Sequence, residues 1–129
     1  MARADRTWTI TELAQDYGVT LRTIRFYEGE GLLSPERRGQ QRIFRARDHV
    51  RLGLVLRGRR LGFPLGEIKK IVDMYDAEPG EVGQLHYLLE QIAHRRAELE
   101  ARRKDIEQTL AELDDVERRS RADLERLVS

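Results

Sequence analysis

The stretch that decides the fold is Thr20-Leu21-Arg22-Thr23-Ile24-Arg25-Phe26-Tyr27-Glu28-Gly29. Thr20 can cap a helix, and the residues after it predict one from Leu21 to about Gly29. Leu21 and Ile24 define the buried side of that helix. At about 100° per residue, Arg22 and Phe26 fall on the opposite side, with Thr23 and Arg25 on the flanks. Two arginines, a threonine and an aromatic at the start of a helix make a set suited to a major groove. Arg can pair bidentately with guanine, and Thr or an aromatic can touch a thymine methyl. The bland alternative is a solvated helix with a chance aromatic, so the neighbouring segments matter.

Upstream, Trp8-Thr9-Ile10-Thr11-Glu12-Leu13-Ala14-Gln15-Asp16-Tyr17-Gly18-Val19 reads as an extended lead-in and two helical turns, with Thr11 the expected cap. Leu13, Ala14 and Tyr17 share one face, and Gly18 can end the helix in a left-handed conformation. Helix, Gly-containing turn, helix is the helix-turn-helix pattern. Downstream, Gly31, Pro35 and Gly39 forbid a continuous helix. Leu32-Leu33 and Ile43-Phe44 read as two short strands around a loop rich in Arg and Gln. The result is a hairpin wing whose Arg37, Arg38, Gln41 and Arg42 can grip phosphates.

Asp48 is the expected cap of a third helix over roughly 48–60, with Val50, Leu54 and Leu61 or Val55 inward. Leu61-Gly62-Phe63-Pro64 breaks it, and a fourth helix is expected over about 65–76, with Leu65, Ile68, Ile71, Val72 and Tyr75 at helical spacing. Arg57, Arg59, Arg60, Lys69 and Lys70 form a second basic cluster around that break, placed to hold phosphate.

After Ala77-Glu78-Pro79-Gly80-Glu81-Val82-Gly83, read as a linker, no Pro or Gly occurs to the end. Steps of seven give Leu85, Ile92, Leu99, Ile106, Leu113, Ser120 and Leu127, a coiled-coil row interrupted once. The companion row is weaker and is broken by Arg96 and Arg103. About 45 helical residues span roughly 65 Å, and nothing else in the chain is long enough to cover that stripe. A second copy related by a two-fold axis is the economical partner.

Charge divides along the same line. The chain of 129 residues carries net +1. Residues 1–70 hold 15 Lys and Arg against 8 Asp and Glu, whereas residues 71–129 hold 9 against 15. A basic head suits nucleic acid, and an acidic tail suits another task. No apolar run approaches the roughly 18 to 20 residues of a bilayer crossing, and no secretory signal is expected at the N-terminus. With no cysteine, disulfides, thiolate metal sites and cysteine nucleophiles in this chain are excluded, and a cytoplasmic setting fits. His86, Glu90 and His94 share a helix face, but three ligands on one straight helix converge poorly on one ion, so a solvated polar stripe is expected and no metal. His49 reads as a lone surface residue. No Ser-His-Asp set, phosphate-binding Gly loop or carboxylate pair in a plausible pocket is visible, so neither an enzyme nor a cofactor is expected. Tyr75, Tyr87 and His86 are candidates for lining a pocket between subunits.

These motifs also carry a resemblance. Thr9 to Ala14, Gly18-Val19-Thr20, Thr23-Ile24-Arg25-Phe26-Tyr27-Glu28 and Gly31-Leu32-Leu33 closely resemble the signature of MerR-type transcription regulators. The likeness continues through Arg42-Ile43-Phe44 and Arg60 to Ile68, covering about residues 8–76. The stretch from Arg25 to Arg42 looks most like the LiuR/GnyR-type branch, associated with leucine and acyclic isoprenoid catabolism.

The resemblance implies a mostly α fold: a winged helix-turn-helix with a small hairpin wing over 8–76, a linker over 77–83, and a dimerisation helix over 84–128 in an antiparallel coiled coil. It implies a homodimer on a palindromic promoter operator in double-stranded DNA, with that DNA distorted for RNA polymerase, near the nucleoid. Carried over residue by residue, the DNA-contacting set is Thr20, Arg22, Thr23, Arg25, Phe26 and Tyr27 on the recognition helix, Arg38, Arg42 and Phe44 on the wing, and Arg60 on the second wing. Dimerisation falls to Leu85, Ile92, Leu99, Ile106 and Leu113. Two departures stand out. Phe44 stands where the family often has Tyr, and so lacks a hydroxyl for phosphate. Neither the cysteines of metal-sensing members nor the large effector domain of drug-sensing members is expected, which leaves the effector and the sign of regulation open. Two other readings remain: an architectural DNA-bending protein without promoter logic, and a coiled-coil adaptor whose head binds protein.

Overall fold

The computed structural model describes residues 6–75 and 80–129, with side chains up to residue 74 and again from residue 81. It divides into two compact units, Met1–Leu88 and Leu89–Ser129. The elements in order are β1 (Thr7–Trp8), α1 (Ile10–Tyr17), α2 (Leu21–Gly29), β2 (Glu36–Arg38), β3 (Gln41–Arg45), α3 (Ala46–Leu61), α4 (Leu65–Tyr75) and α5 (Gly80–Val128).

The helix-turn-helix forms as expected, with one correction to its start. Thr9, not Thr11, caps α1: its Oγ1 accepts from the Glu12 N–H at 3.1 Å, and the Glu12 carboxylate accepts from the Thr9 N–H at 2.8 Å. This is a reciprocal capping box, and Thr11 has Ala14 where such a box needs Glu or Gln. Gly18, at φ 65°, ends α1, and Thr20 caps α2 by accepting from the Thr23 N–H at 3.1 Å.

The wing differs in register. Leu32 and Leu33 are not a strand. Gly31 turns the chain at φ 80°, Leu32 N–H donates to the Tyr27 carbonyl at 2.9 Å, and both leucines drop into the core. The hairpin strands are β2 and β3, paired antiparallel with Arg37 opposite Arg42 and Arg38 opposite Gln41. Gly39, at φ 61°, supplies the positive φ that a two-residue Gly-Gln turn requires. The lead-in pairs with the other edge of β3, Trp8 opposite Phe44, giving a three-stranded sheet in the order β1-β3-β2.

Helix α3 begins at Ala46, and Asp48 lies in its first turn rather than at its cap. The Asp48 carboxylate is buried because it accepts from the Ser34 N–H at 3.0 Å and the Arg45 N–H at 3.4 Å. The inward face differs in part: Val55 is buried as one of the expected alternatives, joined by Asp48, Arg51 and Leu52, while Val50, Leu54 and Leu61 are exposed. Apolar periodicity misleads here, since two of the inward positions are charged residues, Asp48 and Arg51, that hydrogen-bond to other segments. Glycines let α3 pack closely. A Cβ at Gly53 would stand 2.8 Å from the Tyr17 hydroxyl, and one at Gly58 would stand 2.9 Å from the Ile68 side chain. Ile68, Ile71 and Val72 of α4 close the core.

Residues 80–83, expected as linker, form the first turn of α5. Within the first unit, Gln84 is buried and donates to the Ile71 carbonyl at 2.8 Å, and the Tyr87 hydroxyl donates to Glu67. In the second unit, Leu99, Ile106, Leu110, Leu113 and Val116 are all exposed in the single chain. Leu85, in the first unit, is half exposed, and Ile92 is intermediate.

Candidate nucleic-acid interface

Helix α2 turns Ile24 and Tyr27 into the core. That orientation sets Arg22, Arg25 and Phe26 outward, with Phe26 54% exposed and its ring 5.5 Å from that of Tyr27. An aromatic so exposed, beside two arginines without acid partners among the described residues, is a set suited to base edges and thymine methyls. Thr20 is exposed at the helix start, and its Oγ1 lies 2.9 Å from that of half-buried Thr23.

Two of the residues expected to contact DNA are buried in the single chain. Phe44 is fully buried, and Tyr27 is 7% exposed, so their rings build the core beneath the surface. The family-like aromatic after Arg42-Ile43 is thus a packing residue in this chain: its strand partner is Trp8, and strand alternation turns it inward. On the wing, Arg38 is exposed, while Arg42 and Arg37 are both bonded to Glu28. Of the second basic cluster, Arg57, Arg59 and Arg60 are exposed, and Arg59 and Arg60 sit in the last turn of α3, where cations complement the helix dipole. Lys69 pairs with Asp73 at 2.6 Å, and the Lys70 ammonium lies 5.7 Å from the Tyr87 ring centre.

Beneath these surfaces lie two arrangements that sequence reasoning missed. Arg51 is buried and donates to the Leu32 carbonyl at 2.7 Å, the Val72 carbonyl at 3.0 Å and the Asp73 carboxylate at 2.7 Å. Burial works against ionised Asp73, but hydrogen bonds from Arg51 and Lys69 outweigh it and hold its carboxyl below the ordinary range. The second arrangement corrects the reading of His49 as a lone surface residue. Its ring stacks on Trp8 at 4.6 Å, and its Nε2 lies 3.1 Å from Asp16, which also accepts from the Trp8 indole at 3.0 Å. The Tyr17 hydroxyl donates to the His49 carbonyl at 2.6 Å. Burial, then the Asp16 charge, push the Tyr17 hydroxyl up, partly offset by a backbone hydrogen bond at Gly53. A His that faces an aromatic eight residues from an acid on the next helix leaves no periodic trace in sequence.

His86, Glu90 and His94 are exposed, and among the described residues no group of three metal-ligating side chains could hold an ion. Of the candidate pocket residues, the Tyr75 side chain lies outside the described residues, Tyr87 bonds to Glu67, and His86 is exposed. No helix among the described residues is long and apolar enough to cross a membrane.

Comparison with known proteins follows the same outline. The profile of the MerR HTH family regulatory proteins matches residues 8–75, and that described as MerR, DNA binding matches residues 50–116. The HTH-type transcriptional regulator ZntR homolog of Haemophilus influenzae is 30% identical over 111 residues, covering 75% of this chain and 82% of that protein. Nodulation protein NolA of Bradyrhizobium elkanii is 40% identical over 70 residues, and the match spans about a third, 32%, of its length. Among solved structures, a MerR family transcriptional regulator from Bacillus cereus superposes with a TM-score of 0.66 at 29% identity, covering 85% of this chain and 79% of that one. HiNmlR, a MerR family regulator lacking the sensor domain and bound to promoter DNA, does so with a TM-score of 0.51 at 26% identity, covering 74% and 80%.

Proposed function

The chain belongs to the MerR family of DNA-binding transcription regulators, and from that premise we propose that it acts as a homodimer on a palindromic promoter operator. The observation that carries the reading is the outward set Arg22, Arg25 and Phe26 on α2, held up by a buried Ile24 and Tyr27. Such a set has base edges as its natural target, and exposed Arg38, Arg57, Arg59 and Arg60 are suited to phosphates on either side. HiNmlR, the related regulator bound to promoter DNA, lends support.

Pairing follows from the tail. Leu85, Leu99, Ile106, Leu113 and Leu127 of its row are exposed in one chain, an arrangement that a second copy covers at least cost. A two-fold dimer then presents two α2 helices to two half-sites. Distorting the duplex between them costs a few kcal/mol, up to about ten, which contacts at both half-sites offset. RNA polymerase at that promoter is the further partner, and the setting is the cytoplasm at the nucleoid. The likeness of Arg25 to Arg42 to the LiuR/GnyR-type branch points to genes of branched-chain amino acid or isoprenoid catabolism.

The test is to recover fragments from random and genomic DNA with the purified protein and footprint them. A protected palindrome upstream of catabolic genes is expected. Uniform coating of DNA would instead indicate an architectural protein, and no salt-sensitive shift on any fragment would indicate a protein-binding head.

A further inference from the structure

The hairpin wing contains a charge conflict. Arg37 and Arg42 are direct cross-strand partners, and like charges placed opposite one another weaken a strand pair. Strand β2 has three residues, all exposed, so packing does little to hold it. The conflict is relieved from outside the sheet. Glu28, in the last turn of α2, sets one carboxylate oxygen against each arginine: Oε1 accepts from Arg42 Nε at 2.5 Å, and Oε2 accepts from Arg37 Nη2 at 3.1 Å. The side chains of Glu28 and Arg42 are 19% and 22% exposed, which screens this pair less than an ordinary surface contact. One carboxylate therefore joins both wing strands to the helix that carries Arg22, Arg25 and Phe26.

We propose that Glu28 is a positioning residue that fixes the wing against the recognition helix, so that both meet DNA as one unit. The proposal rests on the reading of α2 as the groove-entering helix. It assigns Arg37 and Arg42 to Glu28 rather than to phosphate. Arg38, exposed near the tip and without an acid partner among the described residues, is then the wing cation that faces DNA.

The sign of the effect separates positioning from charge. Removing a carboxylate beside a DNA-facing surface would, by charge alone, strengthen binding to every duplex. Positioning requires weaker binding to the chosen sequence. The probes are a fragment selected by the wild-type protein from random DNA and an unselected duplex of equal length, each titrated by fluorescence anisotropy at several salt concentrations. Glu28→Gln is expected to lower affinity for the selected fragment about tenfold while affinity for unselected DNA holds or rises. Glu28→Asp, which keeps the charge on a shorter stem, is expected to fall between and decides the matter if Glu28→Gln melts at the assay temperature. In an Arg42→Gln background, Glu28→Gln is expected to cost much less than it does alone. An equal gain on both DNAs, an unchanged preference, or fully additive losses with Arg42→Gln would overturn the proposal. A wild-type protein that shows no preference for its selected fragment would overturn the reading of α2 itself, whatever Glu28 does.

Discussion

Arg51 of α3 reaches the carbonyl of Leu32, just beyond α2, and donates to it through Nε at 2.7 Å. Its other nitrogens bond to the Val72 carbonyl and the Asp73 carboxylate of α4. One buried guanidinium thus ties the segment that follows α2 to the last turns of α4, from which Ile71 accepts the Gln84 amide of α5. Arg51→Ala removes a buried donor from two backbone carbonyls and the Asp73 carboxylate and is expected to destabilise the head by about 2–4 kcal/mol in urea unfolding. Arg51→Lys should recover little, because an ammonium cannot fork to carbonyls on two segments. A lysine variant as stable as wild type would contradict this account of Arg51.

Asp73 gives the head an acid-sensitive joint. Its folded carboxyl titrates below its ordinary value, so the unfolded chain binds that proton more readily, and stability rises with pH through this range. The contribution is fully present above the ordinary value of 3.8 and is lost as pH falls toward the folded value. Urea midpoints measured across that interval should fall more steeply for wild type than for Asp73→Asn. Parallel profiles would remove Asp73 from the explanation.

Close packing of α3 on α1 makes Gly53 sensitive to the Tyr17 hydroxyl. Alanine is the better helix former by about 1 kcal/mol, yet its Cβ would stand 2.8 Å from that oxygen. Gly53→Ala is expected to destabilise the wild type and to cost clearly less in a Tyr17→Phe background, where the oxygen is gone and only the ring carbon at 3.3 Å still crowds the Cβ. Additive behaviour in this double-mutant cycle would show that the contact is not what selects glycine.

Phe44 and Arg25 should separate fold from recognition. Phe44→Ala empties a fully buried site and is expected to cost about 3–5 kcal/mol of stability, read by calorimetry. Arg25→Ala, on an exposed residue, should leave the melting temperature near wild type and weaken operator binding by about 1–3 kcal/mol if it reads a base. An equal loss on operator and random DNA would make Arg25 a phosphate contact.

Much of the fold is legible where local chemistry dictates it. Thr20, Gly18 and the Gly62-Phe63-Pro64 break mark helix ends through cap geometry, which acts within a few residues. The outward set of α2 follows from periodicity alone. Legibility fails where long-range contacts decide. Asp48 and Arg51 are buried because their partners lie on distant segments, so the apolar stripe of α3 pointed to the wrong face. Leu32 and Leu33 are β-like in composition but follow a left-handed glycine into the core. The contacts of Glu28 leave no trace in the sequence, because they depend on the wing register that sets Arg37 opposite Arg42.

The central claim is that the tail stripe joins two copies and so spaces two recognition helices for one operator. Light scattering paired with operator titration, on wild type and on a Leu99→Glu, Ile106→Glu double variant, tests it most directly. The account predicts a dimeric wild type and a monomeric variant whose operator affinity has collapsed while its head still melts cooperatively. A variant that is monomeric yet holds the operator at full strength, or one that stays dimeric, would contradict it.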